Sequence, residues 1–198
     1  ILVELCEEFD VYTVVHMSYG ENSESTRMER KPSKDVIVKS VARMLEIDES
    51  IGKGRIYWEN GIAGNGAYHD DDYLADAIAG TSLKLCFDIS HAFISLKGDN
   101  KRLVETVARL EPNIAYYHVV DSMGEIHDSL TLGEGRIDFE SVLYFMIMDK
   151  PYIYEIGLAD FAQCHEMIKS HEYMLGISAS RCNFSSKALE QCYVLETK

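Results

Sequence analysis

Basic residues are scarce in this sequence of 198 residues: 19 Lys and Arg stand against 33 Asp and Glu, a net charge of −14 with histidine neutral. Such a surface repels phosphate backbones and anionic lipid at long range, so nucleic acid is a disfavoured partner unless a positive pocket or a metal offsets the charge. Long apolar runs are missing too. None reaches the roughly 18 residues of a membrane span, and Glu4, Glu7 and Glu8 interrupt any signal-peptide core near the start. The cysteines are few, odd in number and never spaced as CxxC: Cys6, Cys86, Cys164, Cys182 and Cys192. They read as reduced thiols of a cytoplasmic protein, several of them core-packed. A dinucleotide fingerprint is lacking as well, because Gly61-x-x-Gly64-x-Gly66 follows a strand but in the wrong glycine order.

What is present is globular. Apolar residues make up 46% and charged residues 26% of the chain, too apolar a balance for general disorder. No repeat, linker or low-complexity tract interrupts it, and the expectation is one domain over residues 1–198. Short apolar runs alternate with amphipathic stretches. The runs are Val11–His16, Arg55–Glu59, Leu83–Asp88, Ile114–Val120 and Tyr152–Ile156, with a weaker one at Met174–Ser178. Near-continuous and rich in Val, Ile, Tyr and Phe, they suit strands buried on both faces of a parallel sheet.

The segments between them read as helices. Ser33 is placed to cap one carrying Val36, Ile37, Val41, Met44 and Leu45; Asp99 or Asn100 caps another carrying Leu103, Val104, Val107 and Leu110. Asp138 opens a third through Val142, Leu143 and Met146, and a fourth runs from Ala159 to His171. Asp70-Asp71-Asp72 reads as a helix N-terminus, and Tyr19–Lys31 as a long loop. Strand and helix in alternation predict an α/β fold of βα units. No strand-like run precedes Val11, so that strand is expected at a sheet edge, with Ile1–Glu8 a helix end.

Each of the five clear strands ends in a residue able to bind metal. They are His16, Glu59, Asp88 with His91 just beyond, His118 with Asp121, and Glu155. In a parallel barrel all strand carboxyl ends point to one face, so these dispersed side chains converge. Burying so many ionisable groups costs several kcal/mol per ion without a counter-charge, and a divalent cation supplies one. A set of His and carboxylate ligands without Cys suits Mn, Zn, Mg or Fe and does not choose among them.

The segments Trp58-Glu59-Asn60-Gly61, Phe87-Asp88-Ile89-Ser90-His91-Ala92, His118-Val119-Val120-Asp121-Ser122, Leu132-Gly133-Glu134-Gly135-Arg136-Ile137-Asp138-Phe139 and Tyr154-Glu155-Ile156 resemble, in order and spacing, the xylose isomerase-like TIM barrels. That superfamily includes sugar epimerases and isomerases, inosose dehydratases and the endonuclease IV enzymes. The resemblance covers Val11 to Gly157. It implies that Glu59, Asp88, His118 and Glu155 hold one metal, with Glu59 and Glu155 also the acid/base pair. It further implies that His91 contacts substrate or a second metal. His16 matches a histidine that binds metal in endonuclease IV and lines the pocket in sugar enzymes; His127 and Asp121 join the group that meets substrate or a second metal.

Two departures from the family pattern stand out. The chain begins at what resembles the approach to the family's third strand, whereas a full barrel takes about 250 residues. The expectation is therefore a barrel lacking its first two βα units, with a homo-oligomer or partner covering the open edge. Further on, where endonuclease IV enzymes carry Asp-x-His before the Gly-Glu-Gly turn, this chain has His127-Asp128-Ser129. A three-metal nuclease site is thus incomplete and the four-ligand site of the sugar enzymes is whole. The expected activity is a metal-dependent isomerisation or epimerisation of a sugar, sugar phosphate or polyol through an enediolate. The alternatives are an endonuclease IV-like phosphodiesterase, or a non-catalytic relative that binds a metabolite or protein.

Overall fold

A computed structural model describes residues 1–17, 31–146, 150–158, 160 and 162–178 of the chain. Five parallel strands form one sheet in sequence order: β1 Thr13–His16, β2 Ile56–Glu59, β3 Leu85–Asp88, β4 Ile114–Val119 and β5 Tyr152–Tyr154. Between them run α1 Leu2–Glu8 ahead of β1, α2 Lys34–Ile47, α3 Tyr73–Ile78, α4 Ile89–Ser95, α5 Asn100–Leu110 and α6 Phe139–Val142. A last helix, α7, covers 165–178. The result is an open half-barrel with β1 at one edge, as the absence of an earlier strand-like run predicts.

Caps set the helix starts. The Ser33 hydroxyl accepts from the Val36 N–H, Asp99 from Arg102 and Asp138 from Ser141. Of Asp99 and Asn100, then, Asp99 is the cap. The Asp70–Asp72 run does precede α3, but Asp72 sits at φ +56° and gives no side-chain cap, while Asp71 accepts from Tyr73 N at 3.3 Å. The buried stripe of α5, Leu103, Val107 and Leu110, is wholly withdrawn from water. Each such side chain contributes about 1.5–3 kcal/mol by burial. Ile56 and Trp58 of β2, Leu85 and Phe87 of β3, and Tyr117 and Val119 of β4 join the same core against the helices.

Because successive side chains alternate across a strand, the residues between those face inward. Tyr57 and Glu59, Cys86 and Asp88, and Tyr116 and His118 share that inner face. The strands are staggered. Glu59 pairs with Cys86, so Asp88 lies two residues further on; His118 pairs with Ile153, so Glu155 does too. Two-residue steps preserve the facing of each side chain and climb around the sheet as barrel closure requires. This stagger brings ligands from different strands together.

Three expectations are overturned. The helix opened by Asp138 ends at Val142 and gives way to a turn at 143–145 instead of running through Leu143 and Met146. Met174–Ser178, read as a weak strand, is the end of α7, and the fourth helix begins at 165 rather than 159. The reason is its burial spacing: Met174 and Ile177 pack into the core three residues apart while Leu175 is 55% exposed. The predicted loop Tyr19–Lys31 lies outside the described residues except for Lys31. Among the described residues no helix is long and apolar enough to cross a membrane.

Candidate metal centre at the strand ends

Ligand atoms of Glu59, Asp88, His118 and Glu155 lie within 4.8 Å of one another. His118 is the hub. Its Nδ1 stands 3.1 Å from Glu59 Oε1, 3.2 Å from Glu155 Oε2 and 3.9 Å from Asp88 Oδ2. Glu59, Asp88 and His118 are buried, whereas the Glu155 side chain keeps 36% of its surface in solvent. Three carboxylates thus surround one imidazole in a low-dielectric pocket.

The electrostatics reflect that crowding. Burial works against a charged His118, but the Cys86 thiol and the Glu155 and Glu59 carboxylates outweigh it and push its pKa up to about 12. Glu155, paired with His118, is held below the usual carboxylate range. Burial drives Asp88 well above that range despite the bond it accepts from the His91 N–H, and the Glu155 and Glu59 charges add to the rise. Burial likewise raises the Cys86 thiol beneath them to about 11.

The donor set fits a divalent cation. Asp88 Oδ1 accepts the His91 N–H at 2.7 Å, capping α4, but Asp88 Oδ2 is buried and accepts no hydrogen bond. An orphaned acceptor of that kind costs about 1–3 kcal/mol or more when charged, and a cation bound among the four groups satisfies it. Three carboxyl groups and an imidazole are also the ligand chemistry of Mn, Zn, Mg or Fe.

Around this cluster His91 is held in one tautomer. Its Nδ1 lies 2.9 Å from the Asn60 carbonyl, which only accepts, so Nδ1 carries the proton and Nε2 keeps its lone pair. Burial lowers the His91 pKa, which favours this neutral form. Asn60 itself is clamped to Asp88 by two bonds, Nδ2 to the Asp88 carbonyl at 2.9 Å and Asp88 N to Oδ1 at 3.0 Å. Sequence reasoning assigned nothing to Asn60, although an amide directly after a strand-end glutamate was the available signal.

His16, half-exposed, places Nε2 3.4 Å from Glu59 Oε2, and His16, Glu59 and His91 form a second group of clustered donors. The ring of His127 lies 4.8 Å from that of His91. Asp121 is placed differently. It is buried at the end of β4 with its carboxylate occupied by backbone N–H groups, outside both donor groups. Ser129, where nuclease relatives carry a histidine, sits at φ +48° and lends its carbonyl to Gly157 N at 2.9 Å.

A half-barrel of parallel strands with ionisable side chains gathered at its carboxyl end is of the TIM-barrel class. The family model described as xylose isomerase-like TIM barrel matches residues 2–171, and the chain belongs to that family. Among solved structures it is similar in fold to a D-tagatose 3-epimerase-like protein, with a TM-score of 0.60 at 22% identity over 90% of this chain. The chain spans 66% of that protein's length, just under two thirds. No curated protein matches it significantly in sequence.

Proposed function

We propose that the chain is a divalent-metal-dependent isomerase or epimerase of a sugar, sugar phosphate or polyol. The observation that carries this reading is the pair of glutamates, Glu59 and Glu155, which reach His118 from separate strands at 3.1 and 3.2 Å. A bound cation would polarise a substrate carbonyl and stabilise the negative charge that develops on its oxygen. The glutamates handle the proton. Glu155, half-exposed, is the group that substrate reaches first; its carboxylate removes a proton from the carbon beside the carbonyl, and Glu59, entering the cycle as the carboxylic acid, returns its own from the buried side. His91, neutral with its Nε2 lone pair kept by the Asn60 carbonyl, accepts a substrate hydroxyl. The rings of His16 and His127 lie 5.9 and 4.8 Å from that of His91, within reach of the same substrate.

Support also comes from what a phosphodiesterase would need. The position at which endonuclease IV relatives carry a ligand is Ser129, and the net charge of −14 opposes a DNA duplex. The unpaired thiols of Cys6, Cys86 and Cys164 support a reducing, cytoplasmic setting. The same proposal includes a second copy across the β1 edge, where Tyr12 and Val14 are exposed. The test of activity is exchange of solvent deuterium into a bound ketose in the presence of Mn. Incorporation that Glu155→Gln abolishes supports the assignment; cleavage of abasic-site DNA without such exchange overturns it.

A further inference from the structure

The Asp121 carboxylate is 1% exposed and accepts four backbone hydrogen bonds. Oδ1 takes the N–H groups of Ser122 at 2.8 Å and Ile137 at 3.2 Å; Oδ2 takes those of Gly133 and Gly135, both at 2.9 Å. The main chain of Asp121 also pairs with Leu130 in both directions, at 3.1 and 2.9 Å. One side chain therefore closes the whole 121–137 loop back onto the end of β4. This closure explains the glycines of Leu132-Gly133-Glu134-Gly135. Gly133 is at φ +87°, and a Cβ on Gly135 would collide with the Asp121 carboxylate.

Two features of the candidate site depend on that loop. His127 lies on it, its ring 4.8 Å from His91. Ser129 lies on it too, and its carbonyl holds Gly157 N at 2.9 Å, two residues beyond Glu155. Glu155 is otherwise held by its pairing to His118 and by a long bond from its N–H to the Val119 carbonyl at 3.3 Å. Of the four clustered donors it is the least buried, so its placement relies most on the chain around it.

We propose that Asp121 is a positioning residue for this site: its four-bonded carboxylate fixes the loop that sets His127 against His91 and secures the segment carrying Glu155. This deepens the metal-dependent reading of the cluster and rests on it for its consequence, though not for its geometry. Asp121→Asn tests it sharply. Whichever oxygen becomes an amide, an NH2 group faces two N–H donors, so two of the four bonds are lost and replaced by repulsion. The control is Val41→Ala, a core truncation in α2 that lowers the melting temperature without touching the loop.

The readouts are Mn2+ titration by calorimetry and amide hydrogen exchange on the whole chain. Asp121→Asn is expected to weaken Mn2+ binding about tenfold or more, as supporting groups behind metal ligands do. It should also speed exchange at Gly157 together with Gly133 and Gly135, while Val41→Ala changes neither. If Asp121→Asn lowers stability but leaves Gly157 protected and Mn2+ affinity unchanged, the residue is structural only and the proposal is overturned. If the unaltered protein binds no Mn2+, the metal-dependent reading falls, and exchange at Gly157 still decides the positioning role. Should Asp121→Asn not fold, exchange in the unaltered protein decides: Gly133, Gly135, Ile137 and Gly157 should open as one unit. Independent opening of Gly157 contradicts the proposal.

Discussion

Asp88 and Asp121 close successive strands of the same half-barrel, both are buried, and they do opposite work. Asp88 spends one oxygen on the α4 cap and leaves Oδ2 without a hydrogen bond among three other ionisable donors. Asp121 accepts a backbone N–H at every position its carboxylate offers in the loop. A carboxylate saturated by backbone is committed to shape, whereas one left short of donors among other ligand atoms is available to a cation. The difference arises from the path of the chain beyond each strand. After Asp88 the chain enters a helix at once, which supplies one N–H; after Asp121 it makes a loop that turns four of them back.

The largest expected effect separates chemistry from shape. Glu155→Gln should lower deuterium exchange into a ketose by about 10²–10⁴-fold, the usual worth of a general base. Its stability should change by no more than about 1 kcal/mol, since the side chain is partly solvated. A comparable loss of both would place Glu155 with Asp121 rather than with Asp88.

Next in size is the stability of Asp121→Asn. Each buried donor left facing a donor costs about 1–3 kcal/mol, so with two such donors the loss should reach about 2–6 kcal/mol in a urea melt. Asp88→Asn should do the reverse in metal-free protein. Replacing an underbonded carboxyl, whose ionisation burial and two other carboxylates already oppose, by its amide isostere is expected to be neutral or to stabilise by about 1 kcal/mol. With saturating Mn2+ the order inverts, because the unaltered protein gains about 2.7 kcal/mol at a hundredfold excess over Kd and the variant gains far less. Equal melting shifts for the two proteins on adding Mn2+ would erase the contrast between the aspartates. Ser33→Ala, at the far end of α2, should cost only about 0.5–1 kcal/mol and leave both readouts alone.

Much of this was legible in the sequence, for a physical reason. Buried parallel strands announce themselves as short apolar runs, and a polar residue at the end of each is visible at once. His16, Glu59, Asp88, His118 and Glu155 therefore stand out as strand-end candidates without coordinates. The stagger that carries Asp88 two residues beyond the partner of Glu59 does not show in the sequence, because register depends on how strands meet rather than on any one of them. Asp121 carries the same signal as Asp88, a carboxylate after an apolar run, and only the returning loop tells them apart. Asn60 escaped notice because its work is a pair of bonds to another strand's backbone. Met174–Ser178 misled because five apolar-rich residues fit either period, and the helix shows only when the preceding turns are included.

Four donors from four strands should hold one ion, and anomalous diffraction from crystals grown with Mn2+ tests that most directly. A single peak about 2.2 Å from carboxylate oxygens of Glu59, Asp88 and Glu155 and a nitrogen of His118 is the predicted result. A peak elsewhere, for example on the acidic run Asp70–Asp72, with none at Asp88 Oδ2, would contradict it.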